Sequence, residues 1–452
     1  MFLISETNRR WWLLGGVACV LGVILLDETV VGIALPTIQK DFGLTSTEAH
    51  WVVNAYLLTF ACFVAIGGKL ADIYGTLRVF LTGLVIFSLS SIACGLSPSG
   101  TFLIAARATQ GVGAAIIFPL YVAMVGMTFA KEERGFAIAV GGSVGTTFLA
   151  LGPLVGGLLT DLVSWRWIFW INPIVAIGIG TIVTLTFRDV ARPPGRRIDW
   201  AGLLLIASGM FAVVFGLMEA DNWGWLNPGI WASLIAGVSL LLMFCRVEAG
   251  LQSPLIEVQL FSSWVFTSSN LTIFMAQYAK IMLFVFVALY AQGQLRLSPL
   301  EAGAFVMLAP ILQPFAALTC GRLTRTFSYR NLSLFGIAGT GLCLAWLCLV
   351  APHKSLVLFA IGLPLSGMAF PFLVVPSRAA IMDALPEYKH GQGGGIAMTF
   401  QMIGGTVGLS LSSALLPIGG FQVVFGGAAL LFGILLCFAL IAFHREQVGQ
   451  TS

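Results

Sequence analysis

WWLLGGVACVLGVILLDETVVGIAL, residues 11–35, is an apolar run long enough to cross a bilayer as a helix, and its only charges are Asp27 and Glu28. An ionised acid at that depth costs several kcal/mol, so such a carboxylate takes up a proton, is paired, or faces a cavity inside the protein. That behaviour suits a group that binds and releases protons while something else crosses the membrane. Asp27 is the leading candidate for this role, and the rival reading is a structural ion pair with a basic residue. Glu28 lies about 100° further round the helix, so the two acids cannot point the same way.

The rest of the chain has the same character. It is 58% hydrophobic and 9% charged over 452 residues, with a mean hydropathy of +0.97. No water-soluble domain of this length has such values, so the fold class expected is an all-α integral membrane protein. Breaks at charges, Pro and Gly divide it into fourteen expected spans. The uncharged stretch from Gly391 to Phe443 holds two of them, 392–416 and 420–443, separated at Pro417-Ile418-Gly419-Gly420. Of the 23 lysines and arginines, seventeen fall in the termini and even-numbered loops and four in the odd-numbered loops. Arg107 and Lys280 remain inside spans. The positive-inside rule therefore predicts cytoplasmic termini for a multi-pass membrane protein. The net charge of +4 is this same bias and gives no reason to expect nucleic acid. The eight cysteines lie in apolar runs without metal-ligand spacing, and no hydrolase or kinase signature is present. Neither a cofactor, nor a metal, nor an enzyme activity is expected.

Arg188 to Asp199, with Pro193, Pro194 and Gly195 at its centre, reads as a cytoplasmic linker after six spans. Gly68-Lys69-Leu70 after span 2 is echoed by Gly321-Arg322-Leu323 after span 10. Such weak internal symmetry marks transporters built from two related bundles. The expected division is residues 1–187 as the first six-helix bundle, 188–259 as linker and two inserted helices, and 260–452 as the second six-helix bundle.

Several segments resemble one family. Leu26-Asp27-Glu28-Thr29-Val30-Val31 with Ala34-Leu35-Pro36 is similar to the first-helix motif of the fourteen-span drug:proton antiporter branch of the major facilitator superfamily. Gly68-Lys69-Leu70-Ala71-Asp72 with Gly75 resembles the loop 2-3 motif, where Arg78 is the basic residue that remains. Leu103, Arg107, Gln110-Gly111 and Gly113-Ala114-Ala115 resemble the fourth-helix motif. Gly152-Pro153 with Gly156-Gly157 resembles the antiporter motif of helix 5, and Trp165-Arg166-Trp167 with Asn172-Pro173 resembles the sequence that follows it. The resemblance implies a major facilitator fold of two six-helix bundles plus two additional helices. It also implies proton-coupled export of amphipathic small molecules or drugs by alternating access, with protons, substrate and membrane lipids as partners. Asp27 and Glu28 would exchange protons, Arg107 would tune them, and Asp72 would latch one conformation. A periplasmic adaptor is left open, and a non-transporting scaffold or sensor is the alternative from another class.

Lys280 stands apart from these motifs. At 100° per residue, Asn270, Phe274, Gln277, Lys280 and Phe284 share an arc of about 120° on span 9, a polar and aromatic stripe around a cation. Recognition of an anionic or zwitterionic substrate and pairing with an acid of helix 1 both account for a cation there.

Overall fold

A computed structural model describes residues 8–188, 199–251, 258–324, 326–385 and 390–451. Every extended element among the described residues is helical. The chain divides into two compact units, Met1–Ala207 and Ser208–Ser452. The expected linker coincides with residues 189–198, outside the described residues.

The first unit is built from α1 (Arg9–Phe42), α2 (Ser46–Tyr74), α3 (Thr76–Gly95), α4 (Gly100–Thr128), α5 (Lys131–Leu162) and α6 (Trp167–Thr186). α1 packs on α5 and α6, α2 on α4, and α3 on α4 and α6. The ends are set locally. α1 stops where Gly43 turns to φ 64°, a conformation that favours glycine, and Thr45 and Glu48 then form a reciprocal capping box that starts α2. α7 (Trp200–Trp223) follows, and the boundary between the units falls within it.

The second unit continues through α8 (Pro228–Ala249), α9 (Trp264–Gly293), α10 (Pro299–Met307), α11 (Gln313–Leu323), α12 (Tyr329–Val350), α13 (Leu356–Asp383) and α14 (His390–Thr451). α9 packs on α13 and α14, and α12 on α13 and α14. Close approaches assign the two arms of α14. Gly404 and Gly408 lie against the carbonyls of Phe274 and Tyr278 on α9, while Gly426 and Phe432 lie against Cys348 and Gly341 on α12. The pairing of the two arms of α14 with α9 and α12 thus parallels that of α5 with α1 and α6 with α3 in the first unit.

Eleven of the described helices are long and apolar enough to cross a membrane, fewer than the fourteen expected. Two differences have visible causes. The span expected at 299–320 is broken at residues 308–312, which contain Pro310 and are followed by Pro314 in the first turn of α11; both lack the backbone donor a continuous helix would use, and each resulting helix is too short to span. The spans expected at 392–416 and 420–443 run together as α14, divided only by the non-helical backbone of Gly419 and Gly420.

The glycines of α5 have unequal tasks. A Cβ on Gly156 would stand 2.6 Å from the Val30 carbonyl, and one on Gly152 would overlap the Thr29 hydroxyl. Gly142, on the same helix, has open space where its Cβ would be. Gly156→Val is therefore expected to destabilise the protein by about 1–3 kcal/mol, as overpacking does, and Gly142→Ala to leave thermal unfolding in detergent unchanged.

Candidate functional site

Asp27 and Arg107 are brought together at the centre of the first unit. Close packing of α4 makes this possible. A Cβ on Gly111 would overlap the Tyr56 carbonyl of α2, and one on Gly113 would stand 2.6 Å from the Phe87 nitrogen of α3. With α4 drawn in this far, Arg107 Nη1 donates to Asp27 Oδ2 at 2.6 Å, and both side chains are buried.

The pair is enclosed by neutral polar groups. Arg107 Nη1 also donates to Gln110 Oε1 at 2.7 Å, and Nε donates to the Val52 carbonyl at 3.1 Å. The guanidinium carbon lies 4.3 Å from the centre of the Tyr56 ring, a cation–π contact. Asp27 Oδ1 accepts from Gln110 Nε2 and from Asn172 Nδ2, each at 3.2 Å. Both amides also donate to Ser91 Oγ, which in turn donates to the Phe169 carbonyl at 2.9 Å. Residues of α4 and α6 reach the α1 carboxylate directly, and α2 and α3 hold its partners Arg107, Gln110 and Asn172. Gln110 lies one turn from Arg107 on α4, so both reach the same acid, and Asn172 precedes the proline that interrupts the α6 hydrogen-bond ladder. Glu28 is also buried but is not among the hydrogen-bond partners of Asp27.

The motif residues around this centre are placed as follows. Thr29, two residues from Asp27, donates to the Leu149 carbonyl of α5 at 3.2 Å, and Gly152 and Gly156 of the Gly152-Pro153 and Gly156-Gly157 motif lie against Thr29 and Val30 of the segment that carries the acid. Gly75 turns the chain between α2 and α3 with φ 102°, which favours glycine, and Arg78 is exposed on the first turn of α3. The side chain of Asp72 lies outside the described residues. An apolar groove of about 570 Å³ lies between α3 and α6 and touches none of the buried charges.

A family model described as Major Facilitator Superfamily matches residues 17–268 and 269–451. The chain belongs to the major facilitator superfamily. This facilitator is 33% identical to the puromycin resistance protein pur8 of Streptomyces alboniger, over 89% of this chain and 81% of that one. It is 33% identical to the cephamycin export protein CmcT of Amycolatopsis lactamdurans, over 86% of this chain and 81% of that one. Its fold is similar to that of a POT family transporter solved in complex with a thioalcohol-conjugated peptide, with a TM-score of 0.73, 14% identity, and 96% of each chain covered.

In the second unit of this facilitator the expected stripe on α9 is divided. Asn270 Nδ2 donates back to the Phe266 carbonyl of its own helix at 2.8 Å. The Phe274 carbonyl lies against Gly404, and Gln277 Oε1 accepts from Gln401 Nε2 at 3.2 Å. Lys280 and Phe284 instead line a cavity of about 20 Å³ with Gln313, Thr340 and Ser366. That volume admits a water molecule but not an organic substrate.

Several residues of the arrangement were not singled out from sequence. Gln110 and Asn172 belong to quoted motifs, yet nothing in their spacing connects them to Asp27. Ser91 and Tyr56 have no local signal at all. Gly404 and Gly408 could have been found, because they stand at the same four-residue spacing as Gly152 and Gly156. A Cβ on Gly404 would overlap the Phe274 carbonyl, so Gly404→Val is expected to lower thermal stability at least as much as Gly156→Val.

Proposed function

We propose that this facilitator is a proton-coupled exporter of amphipathic drugs or antibiotics, working by alternating access, with Asp27 as the proton-exchanging acid. The observation that supports this reading is the enclosure of Asp27 by one fixed cation and three neutral side chains that can donate or accept. Ionised, Asp27 accepts from Arg107, Gln110 and Asn172. Protonated, it needs an acceptor for its own hydrogen, and rotation of either amide supplies an oxygen. Asn172 Oδ1 is already buried without a hydrogen-bond partner among the described residues. Both charge states can therefore be housed without moving a helix, and a movement that separates α1 from α4 changes how tightly the proton is held.

The driving force is adequate. One proton moving down about 100 mV releases about 2.3 kcal/mol, and each pH unit adds about 1.4 kcal/mol. A hundredfold substrate gradient requires about 2.7 kcal/mol. Exchange of one proton for one monovalent cation cancels the voltage contribution, so a second acid would be useful, and the buried Glu28 is the candidate. The names of the curated relatives, which include an antibiotic exporter and a resistance protein, support drugs as the substrate class.

The topology proposed has fourteen crossings: the eleven apolar helices with α2, the broken pair α10 and α11, and the second arm of α14. Both termini are then cytoplasmic in a bacterial inner membrane, and α7 and α8 are additions to two six-helix bundles. Pro98 and Ala130 are exposed at opposite ends of α4. A cysteine placed at Pro98 is expected to react with a membrane-impermeant maleimide in intact cells, and one placed at Ala130 only after permeabilisation. The reverse pattern would invert the topology. The functional test is flux of a lipophilic cation dye in proteoliposomes under an imposed pH gradient. Gradient-dependent uptake is expected, and a flux indifferent to the gradient would remove the coupling.

A further inference from the structure

Arg78 stands on a ridge of α3 between two grooves. On one side is the apolar groove shared with α6. On the other a groove of about 180 Å³ is lined by Leu70 and Tyr74 of α2, Arg78, Val79 and Thr82 of α3, and Ile116 of α4. The helix period produces this arrangement. At 100° per residue, Leu81, Leu84 and Ser88 centre about 90° to one side of Arg78, and Val79 and Thr82 about 70° to the other. Val85 and Leu89 continue the ridge in line with Arg78 and are 55% and 61% exposed.

The larger groove has the length of an acyl chain in one leaflet. It runs from Leu81 and Leu185 to Ile92 and Pro173 between antiparallel helices, since Leu84 lies against Gly180 and Ser91 donates to the Phe169 carbonyl. The eleven-residue step from Leu81 to Ile92 makes it about 16 Å long, close to half of a hydrocarbon core about 30 Å thick. Its mouth begins one turn beyond Arg78, which places the cation where headgroups begin. The hydroxyls in the walls are spent on their own helices. Ser88 donates to the Leu84 carbonyl at 2.7 Å, Thr181 to that of Ile177 at 2.9 Å and Thr184 to that of Gly180 at 2.7 Å. In the smaller groove Thr82 donates to the Arg78 carbonyl at 2.9 Å. The grooves thus present apolar walls, while Arg78 and Tyr74 are exposed at their shared end. A guanidinium grips a phosphate through two parallel hydrogen bonds, and tyrosine is at home at the membrane–water interface.

We propose that α3 is a saddle for a diacyl anionic phospholipid, with its phosphate on Arg78 and one chain in each groove. The phosphate oxygens accept from the guanidinium and from the Tyr74 hydroxyl. An anionic headgroup is favoured because a zwitterionic one brings its own ammonium against the arginine. In the proposed topology this is the cytoplasmic leaflet. At its far end the larger groove reaches Pro173, next to Asn172, whose amide donates to Asp27, so the seated chain packs against the segment that positions the acid.

The experiment titrates delipidated full-length protein in detergent with palmitoyl-oleoyl phosphatidylglycerol and, separately, with the phosphatidylcholine of the same chains, reading the affinity of the first bound lipid by native mass spectrometry. Phosphatidylglycerol is expected to bind at least about tenfold more tightly, equivalent to about 1.4 kcal/mol. Arg78→Gln should remove most of that preference and leave phosphatidylcholine unchanged. Thr181→Phe and Thr82→Phe, each filling one groove, should each weaken phosphatidylglycerol several-fold while the preference over phosphatidylcholine survives. Lysophosphatidylglycerol, whose single chain takes the larger groove, should respond to Thr181→Phe alone. All three substituted positions are exposed, and thermal unfolding without lipid confirms that the variants fold. An unchanged preference in Arg78→Gln, or equal losses on both lipids, would overturn the site. Insensitivity of phosphatidylglycerol to both filled grooves would overturn the seating of its chains. Inorganic phosphate competing at the lipid's own concentration would make this a phosphate site and overturn the lipid assignment. Flux plays no part in the readout, so the site stands or falls independently of proton coupling.

Discussion

Replacing Asp27 with Asn is expected to abolish export driven by a pH gradient, and adding Arg107→Gln is expected to restore folding without restoring export. The single substitution keeps an oxygen for the guanidinium to donate to, but it leaves Arg107 buried with its counter-charge gone. Breaking a buried pair from one side costs about 3–5 kcal/mol. With both residues made neutral amides, no charge remains in the site, and replacement of a whole buried pair is often neutral or stabilising. Thermal unfolding should therefore fall in Asp27→Asn and recover in the double variant, while proton-driven flux is lost in both. This separation matters because the bond between Asp27 and Arg107 could serve architecture alone. A double variant that folds and still transports against a gradient would assign the pair to architecture.

Arg107→Ala is expected to be the most damaging single change at the site. It leaves a buried carboxylate with only Gln110 and Asn172 as donors and empties the space over the Tyr56 ring. A loss of about 3–5 kcal/mol is expected, read as a lower thermal midpoint and reduced recovery of monodisperse protein. Arg107→Lys should fall between this variant and the native protein. A single ammonium can keep the charge near Asp27, but it cannot reach Asp27, Gln110 and the Val52 carbonyl together or lie flat on an aromatic ring. Equal stability of the arginine and lysine forms would mean that only charge is needed there.

Much of this was legible in the sequence because the membrane restricts what a chain can do. Apolar length marked most of the helices, and the adjacent acids Asp27 and Glu28 in span 1 and the lone Arg107 in span 4 were conspicuous for the cost of burying them. Their pairing followed from no spacing rule, since 80 residues separate them, and it emerged only once Gly111 and Gly113 drew α4 against its neighbours. Partners with weak local signals stayed hidden for the same reason. Ser91 looks like any serine in an apolar helix until Gln110 and Asn172 converge on it. The break at residues 308–312 was missed because hydropathy continues across it, although Pro310 and Pro314 carried the warning. The stripe on α9 was drawn for a straight isolated helix. In the folded unit α14 takes the Gln277 side, and the cavity beside α13 takes Lys280, so residues on one arc serve different neighbours.

The central claim is that Asp27 carries the proton that is exchanged for substrate. It is tested most directly by recording luminal pH with a trapped dye in proteoliposomes while an outward substrate gradient is imposed, with native protein and with the Asp27→Asn, Arg107→Gln double variant. Substrate-dependent proton movement in the native protein and none in the double variant is the predicted result. Proton movement of equal rate in both would contradict the account and transfer coupling to another acid, with Glu28 the first to replace.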